Sequence, residues 1–313
     1  EVFSSASIGI AHSMSGYVRP EDLLRDADAA MYRAKEQGRG RHEVFDQTLH
    51  AAAVTRLALE TDLHGAIERA ELGIVFQPIV SLKDGETAGF EALARWRCPR
   101  RGLVSPETFI PVAEDTGLIV PIGEWIIREA CTQMLEWARE EPAARDCTLS
   151  VNLSSRQLLE PDLPYRLADM LAETGFEPEK LVLEITESVL MTNAETAART
   201  LEGIRSLGIG VDVDDFGTGY SSLTYLRAFP IDRLKIDRQF VAGLASDKGD
   251  LEIVRAIISL AQSLDIGVVA EGIETREQLS RLRLLGCEFG QGFLFSKPVE
   301  RHQAHLRAFE MVG

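Results

Sequence analysis

Between Gln77 and Gln291 the sequence contains no histidine; its six are His12, His42, His50, His64, His302 and His305. That gap covers most of the chain and excludes a histidine-based zinc site or a Ser-His-Asp triad within it. Cysteine is also sparse. Cys98, Cys131, Cys147 and Cys287 form no CxxC pair, and so scattered a set reads as reduced thiols in a cytoplasmic protein. No apolar run reaches the ~18 residues of a membrane span. No charged start leads into an apolar stretch, so no secretory signal is expected. Cationic excess is missing too: 33 Lys and Arg against 49 Asp and Glu leave a net charge of -16. Such a chain repels nucleic-acid polymers and anionic membranes at long range. Any phosphate ester it binds must meet local cations that reverse that field.

What is present suggests one large domain and something smaller, in 313 residues of ordinary globular composition. Residues 1–46 read as a strand (Ala6–Ala11), a helix starting near Pro20 with Leu23, Leu24, Ala27, Ala30, Met31 and Ala34 on its apolar face, and a short strand at His42–Phe45. Gly38 is the expected stop of that helix. This is too little chain for an independent domain, and the sequence is expected to be a piece of something longer. Residues 47–73 predict a connector helix.

From Ile74 onward apolar strands alternate with amphipathic helices. Strands are expected at Ile74–Leu82, Gly89–Trp96, Thr148–Leu153, Leu181–Thr186, Gly210–Phe216, Arg233–Asp237, Gly267–Ile273 and Glu288–Phe293. Helices are expected at Pro121–Arg139, Pro161–Thr174, Ala194–Leu207, Leu251–Leu264 and Arg276–Leu285. Repeated strand–helix units of this kind predict a TIM-type (β/α)8 barrel over 74–313. The first two strands are joined only by Lys83–Ala88, too short for a helical crossover, so that pair should be antiparallel and the barrel a modified one.

Polar residues fall near the C-terminal ends of these strands: Glu91, Asn152, Glu184, Asp214, Asp215, Lys235, Asp237, Glu271 and Gln291. In a TIM barrel those ends face one mouth, where catalytic groups gather. Carboxylates forced together must either take up protons or bind cations. Oxygen ligands without histidine or thiolate favour Mg²⁺ or Mn²⁺, and two such ions sharing a water suit phosphodiester hydrolysis. Asp214 and Asp215 would point to opposite sides of a regular strand, but a turn at its end can bring both to one site.

Glu91-Ala92-Leu93-Ala94-Arg95-Trp96 resembles the signature of the EAL family, and the run from Asp214-Asp215-Phe216-Gly217-Thr218-Gly219 to Tyr220-Ser221-Ser222 resembles it more specifically. Phe76-Gln77-Pro78-Ile79, Asn152-Leu153-Ser154, Glu184-Ile185-Thr186-Glu187, Lys235-Ile236-Asp237, Ala270-Glu271-Gly272-Ile273-Glu274 and Gln291-Gly292-Phe293 match in order. The resemblance implies a phosphodiesterase that opens cyclic di-GMP to linear pGpG. It implies that Glu91, Asn152, Glu184 and Asp214 hold one metal. Asp214 and Asp215 would hold the second, with Asp237 nearby. Lys235 and Glu271 would act on the attacking water, Glu271 as a metal ligand or by positioning. Gln77, Leu93, Arg95 and Gln291 would line the substrate site, and Glu187 would anchor the Asp214–Ser222 loop. A homodimer through the barrel is implied as well. Ser7-Ile8-Gly9-Ile10-Ala11 and the run Ala27–Lys35 resemble the C-terminal end of a GGDEF domain. The GGDEF signature is not in this sequence, so no cyclase activity follows from it. Sensor or GGDEF segments upstream are expected partners in the full-length protein.

Two other readings stay open at this level: a barrel of the same family that binds cyclic di-GMP without cutting it, and a barrel using Lys235 for Schiff-base chemistry. Asp212 departs from the small or apolar residue expected two positions before Asp214. It should face the same way as Asp214, and the preferred expectation is a pairing with a neighbouring basic group.

Overall fold

The computed structural model describes residues 6–12, 19–36, 40–45, 47–187, 189, 194–218, 226, 229–244 and 247–303. The chain divides into two compact units, Glu1–Gly65 and Ala66–Gly313.

In the first unit, strands β1 (Ile8–Ile10) and β2 (His42–Val44) pair in parallel, with helix α1 (Pro20–Glu36) between them in sequence. Gly9 permits this packing: a Cβ there would lie 1.9 Å from the Ala27 carbonyl oxygen of α1. Ala30 and Ala34 are buried, which gives α1 its inner face. Helix α2 (Gln47–Leu63) completes the unit. The strand expected at Ala6–Ala11 is confined to Ile8–Ile10. Gly38, the expected helix stop, lies outside the described residues.

The second unit is a closed barrel. Its strands are β3 (Leu72–Ser81), β4 (Thr87–Cys98), β6 (Thr148–Asn152), β7 (Leu181–Thr186), β8 (Gly210–Phe216), β9 (Arg233–Ile236), β10 (Gly267–Ala270) and β11 (Phe289–Gly290). Strands β4 and β6 through β11 run parallel in sequence order. Strand β3 is antiparallel to both β4 and β11, and so closes the ring. The antiparallel first pair expected from its short connection is therefore present. Helices α3 (Pro106–Thr116), α4 (Ile119–Glu140), α5 (Ser155–Leu158), α6 (Leu163–Thr174), α7 (Ala194–Ser206), α8 (Arg238–Gly243), α9 (Lys248–Leu264) and α10 (Arg276–Leu285) lie between the strands in sequence.

Two departures from the expected strands affect the site. The last two strands are shorter than expected, ending at Ala270 and Gly290, so Glu271 and Gln291 stand just past strand ends. The β3–β4 hairpin is longer than expected. Strand β4 runs on to Cys98, well beyond its pairing with β6 at Gly89–Ala92, and pairs there with a strand absent from the sequence reading, β5 (Gly102–Val104). Fully buried Trp96 anchors this arm: its ring stacks edge-on against Phe109 with centroids 5.8 Å apart, and its indole Nε1 donates to Glu71 Oε2 at 3.0 Å.

The alternation of the strands decides what points inward. Leu149 and Val151, Leu183 and Ile185, Val211 and Val213, and Leu234 and Ile236 are buried apolar side chains on one face of β6 to β9. The intervening positions are Ser150 and Asn152, Glu184, Asp212 and Asp214, and Arg233 and Lys235. Register links Asn152, Glu184, Asp212, Arg233 and Gly267 as successive neighbours across β6 to β10. A second row joins Gln77, Glu91 and Ser150.

Candidate active site

Lys235 is the centre of the site. It is 1% exposed, which is rare for a lysine without charged partners. Its Nζ lies 2.7 Å from Glu184 Oε2, 2.7 Å from Glu271 Oε1, 3.4 Å from Asp214 Oδ1 and 3.7 Å from Glu91 Oε2. Burial alone would lower its pKa, but the carboxylates, Glu184 foremost, hold the ammonium well above its ordinary value. A lysine kept protonated in this way is not a nucleophilic amine, which argues against the Schiff-base reading.

A hydrogen-bonded arc surrounds it. Asn152 Nδ2 donates to Glu91 Oε1 at 2.6 Å, and Gln291 Nε2 donates to Glu91 Oε2 at 2.6 Å and to Gln77 Oε1 at 2.9 Å. Gln77 is fixed in turn by donating from Nε2 to the Ser296 carbonyl at 3.1 Å. Burial pushes the Glu91 carboxyl up, but Lys235 and the bonds from Gln291 and Asn152 reverse this, so its pKa falls below the ordinary value. Glu184 goes the other way. Burial and the charge of Glu91 raise it well above the usual carboxylate range. Glu271 is pushed up to about 8, by burial and then by Asp214 and Glu91, against the pull of Lys235.

The paired aspartates reach the same site through a defect in the strand. The β8–β9 register runs Asp212 to Arg233 and Val213 to Leu234, then resumes only at Phe216 to Ile236. One residue too many is thus accommodated at Asp214–Asp215, a bulge of the kind that re-aims side chains beside active sites. Asp215 takes the left-handed conformation, φ 55°, which is costly for a residue other than glycine. The result brings carboxylate oxygens of Asp214, Asp215 and Glu271 within 4.8 Å of one another. Asp215 is raised to about 6 by burial and by its neighbour Asp214, with Asp237 adding to the shift. Asp237 also caps α8, its Oδ1 accepting from the Gln239 amide at 2.7 Å. It stands just past the end of β9 rather than on the strand.

Glu187, after β7, accepts a hydrogen bond at Oε2 from the Gly217 amide at 3.0 Å. Gly219 to Ser222, the rest of the motif after the aspartates, lie outside the described residues. Leu93 and Arg95 are on the extended β4 arm, two and four residues past Glu91 and on the same face. Arg95 Nη1 donates to the Ala94 carbonyl at 2.8 Å. The structure therefore gathers Gln77, Glu91, Asn152, Glu184, Asp214, Asp215, Lys235, Glu271 and Gln291 around one point. Leu93 and Arg95 stand along the arm, and Glu187 meets the chain beyond Phe216. The Ser296 carbonyl gave no sequence signal, because any residue has one. Asp212 has its basic partner: Arg233 Nε donates to Asp212 Oδ2 at 2.8 Å.

Residues 60–298 match the EAL domain family, and residues 1–41 match the family described as diguanylate cyclase, GGDEF domain. The chain is 45% identical over 304 residues to the bifunctional diguanylate cyclase/cyclic di-GMP phosphodiesterase MucR of Pseudomonas aeruginosa, covering 97% of this chain and 44% of MucR. It is 40% identical over 299 residues to the cyclic di-GMP phosphodiesterase PdeR of Escherichia coli K12, covering 96% of this chain and 45% of PdeR. It thus spans less than half the length of either relative. A solved structure described as PaMucR phosphodiesterase, c-di-GMP complex, superposes with a TM-score of 0.75 at 44% identity, over 79% of this chain and 99% of that one.

Proposed function

The chain belongs to the EAL domain family, and we propose that its barrel hydrolyses cyclic di-GMP to linear pGpG with two divalent cations, Mg²⁺ or Mn²⁺. The observation that carries this reading is the set of crowded oxygen ligands around Lys235. Glu184 Oε1 and Gln291 Oε1 are buried with no hydrogen-bond partner among the described residues. Glu271 and Asp215 are driven towards protonation by burial and then by the carboxylates beside them. Hard divalent cations relieve both conditions, and the donor set of carboxylates and amides suits them. The relatives' names and the ligand of the solved MucR complex support cyclic di-GMP as the substrate.

In this reading Glu91, Asn152, Glu184 and Asp214 would hold one cation, and Asp214 and Asp215, with Asp237 adjacent, would help to hold the other. When bound, such cations would supply a water of lowered pKa and charge compensation for the departing oxygen. Lys235 donates a hydrogen bond to the attacking water and fixes its line of approach, and Glu271 positions the same water from across the lysine. The water oxygen bonds to phosphorus, the P–O3′ bond breaks, and the proton the water gives up is returned through solvent to the leaving 3′ oxygen, leaving the phosphate on the 5′ side. Gln77, Leu93, Arg95 and Gln291 contact the substrate, with Arg95 as a local cation in an acidic protein. Glu187 steadies the chain after β8. A homodimer through the barrel, upstream sensor or GGDEF segments and a cytoplasmic setting belong to the same proposal.

The test is incubation of the chain with cyclic di-GMP and Mg²⁺, Mn²⁺ or EDTA, with chromatography of the products. Metal-dependent pGpG that disappears in Glu91→Ala is expected. Binding without product would replace this reading with that of a receptor.

A further inference from the structure

Beside the ligands stands an ion pair that the proposed chemistry does not use. Asp212 and Arg233 face each other across β8 and β9, each two residues before a central group, Asp214 or Lys235. Asp212 is 0% exposed, and the Arg233 side chain is 13% exposed. The pair continues the register row of Asn152 and Glu184 without a gap. Its surroundings are shaped to hold it. The Arg233 guanidinium lies 5.7 Å from the centroid of the Phe289 ring. On the β10 side its neighbour is Gly267, where a Cβ would come within 2.9 Å of Arg233 Cγ. Asp212 Oδ1, Arg233 Nη2 and Ser150 Oγ are buried and find no partner among the described residues.

Stability alone gives little reason for such an arrangement, since apolar pairs of similar volume commonly serve a core as well or better. The bulge gives another reason. Just above the pair the β8–β9 ladder is interrupted, so backbone pairing does not fix Asp214 against Lys235 there. We propose that Asp212 and Arg233 are a positioning pair: their ion pair locks β8 against β9 directly below the bulge and so sets where Asp214 and Lys235 stand relative to each other. Neither residue touches substrate or cation. The pair orients groups that do, as outer partners of metal ligands commonly do.

This inference rests on the metal-dependent reading of the site, and its test separates the two. The double variant Asp212→Leu/Arg233→Met removes both charges together and leaves no stranded ion. It is expected to melt near the wild-type temperature, while Mn²⁺ affinity measured by calorimetry without substrate, and kcat with cyclic di-GMP, each fall about tenfold or more with KM little changed. Arg233→Lys, which retains a cation opposite Asp212, is expected to recover most of both. A folded double variant with wild-type Mn²⁺ affinity and kcat would overturn the proposal. If the double variant does not fold, Arg233→Lys and Gly267→Ala decide: the first should stay close to wild type, and the second, by displacing Arg233, should weaken Mn²⁺ binding. Wild-type Mn²⁺ affinity in Gly267→Ala would then overturn it. A wild-type chain that binds Mn²⁺ but yields no product would sink the hydrolytic reading, and the pair would still be judged on Mn²⁺ affinity.

Discussion

Glu187 and Gly217 are joined by a hydrogen bond of 3.0 Å from the glycine amide to the carboxylate, linking the chain beyond β7 to the chain beyond β8. Gly217 has φ 96°, so the backbone turns sharply there, immediately after the bulge that carries both aspartates. A charged acceptor on a turn amide contributes about 1.5–3 kcal/mol. Glu187→Ala is therefore expected to lower kcat by about tenfold or more at that energy, with the Mn²⁺ affinity of the site less affected. Steady-state kinetics beside metal titration checks this. An unchanged kcat would leave Glu187 without a role in holding the turn.

Lys235 should separate chemistry from binding. Lys235→Met removes the cation that balances Glu184, Glu271, Asp214 and Glu91. Loss of a group acting on the attacking water is expected to cost about a hundredfold or more in kcat. Cyclic di-GMP affinity should change little, and divalent cations should bind at least as tightly as in the wild type, because the competing ammonium is gone. A variant that loses substrate affinity while keeping kcat would contradict the proposed role.

The raised carboxyls make metal binding and stability depend on pH in opposite ways. Glu271 titrates at about 8 and Asp215 at about 6 without metal, above their ordinary values of 4.5 and 3.8. The metal-free folded state therefore binds more protons than the unfolded chain between those limits. By linkage its stability falls as pH rises from the ordinary carboxylate range to about 8. Lys235, whose pKa is raised above 10.5, keeps its contribution across that window. The lowered Glu91 contributes a loss only on the acid side. Cations need the ionised ligands, so their affinity should rise over the same interval and binding should release protons near neutral pH. Thermal melts in EDTA and in Mg²⁺, with calorimetry in buffers of different ionisation enthalpy, measure both effects. A melting temperature in EDTA that does not fall between pH 5 and 8 would contradict the inference.

Trp96 offers a test of the arm independent of the chemistry. Glu71 accepts from the indole at 3.0 Å and from Arg69 Nε at 2.6 Å, and both partners lower its pKa, Arg69 the more. Trp96→Phe removes the indole bond and leaves the arginine one. The expected cost is about 1–3 kcal/mol of stability, read from denaturant unfolding, with Mn²⁺ affinity unchanged. A stability equal to wild type would show that the bond to Glu71 does not hold the arm.

Much of the site could be read from the chain because strand alternation is written in residue types. Apolar residues at Val211, Val213, Leu234 and Ile236, all buried, leave Asp212, Asp214, Arg233 and Lys235 on the other face. The antiparallel start followed from the short connection between β3 and β4. The β5 strand and the length of the β4 arm escaped because Arg97 to Arg101 interrupt the apolar pattern, and long-range contacts, among them Trp96 on Phe109 and on Glu71, hold them in place.

By itself, then, the sequence determined which groups face the barrel interior, because a period of two sorts side chains before any tertiary contact forms. Tertiary structure decided which of them meet. Glu91 and Gln291 share a hydrogen bond across 200 residues only because β11 pairs with β3 and closes the ring. Asp214 and Asp215 turn to one site only because the ladder slips by a residue against β9. Arg233 becomes the partner of Asp212 through strand register, which depends on how whole strands pack and which no local run of residues encodes.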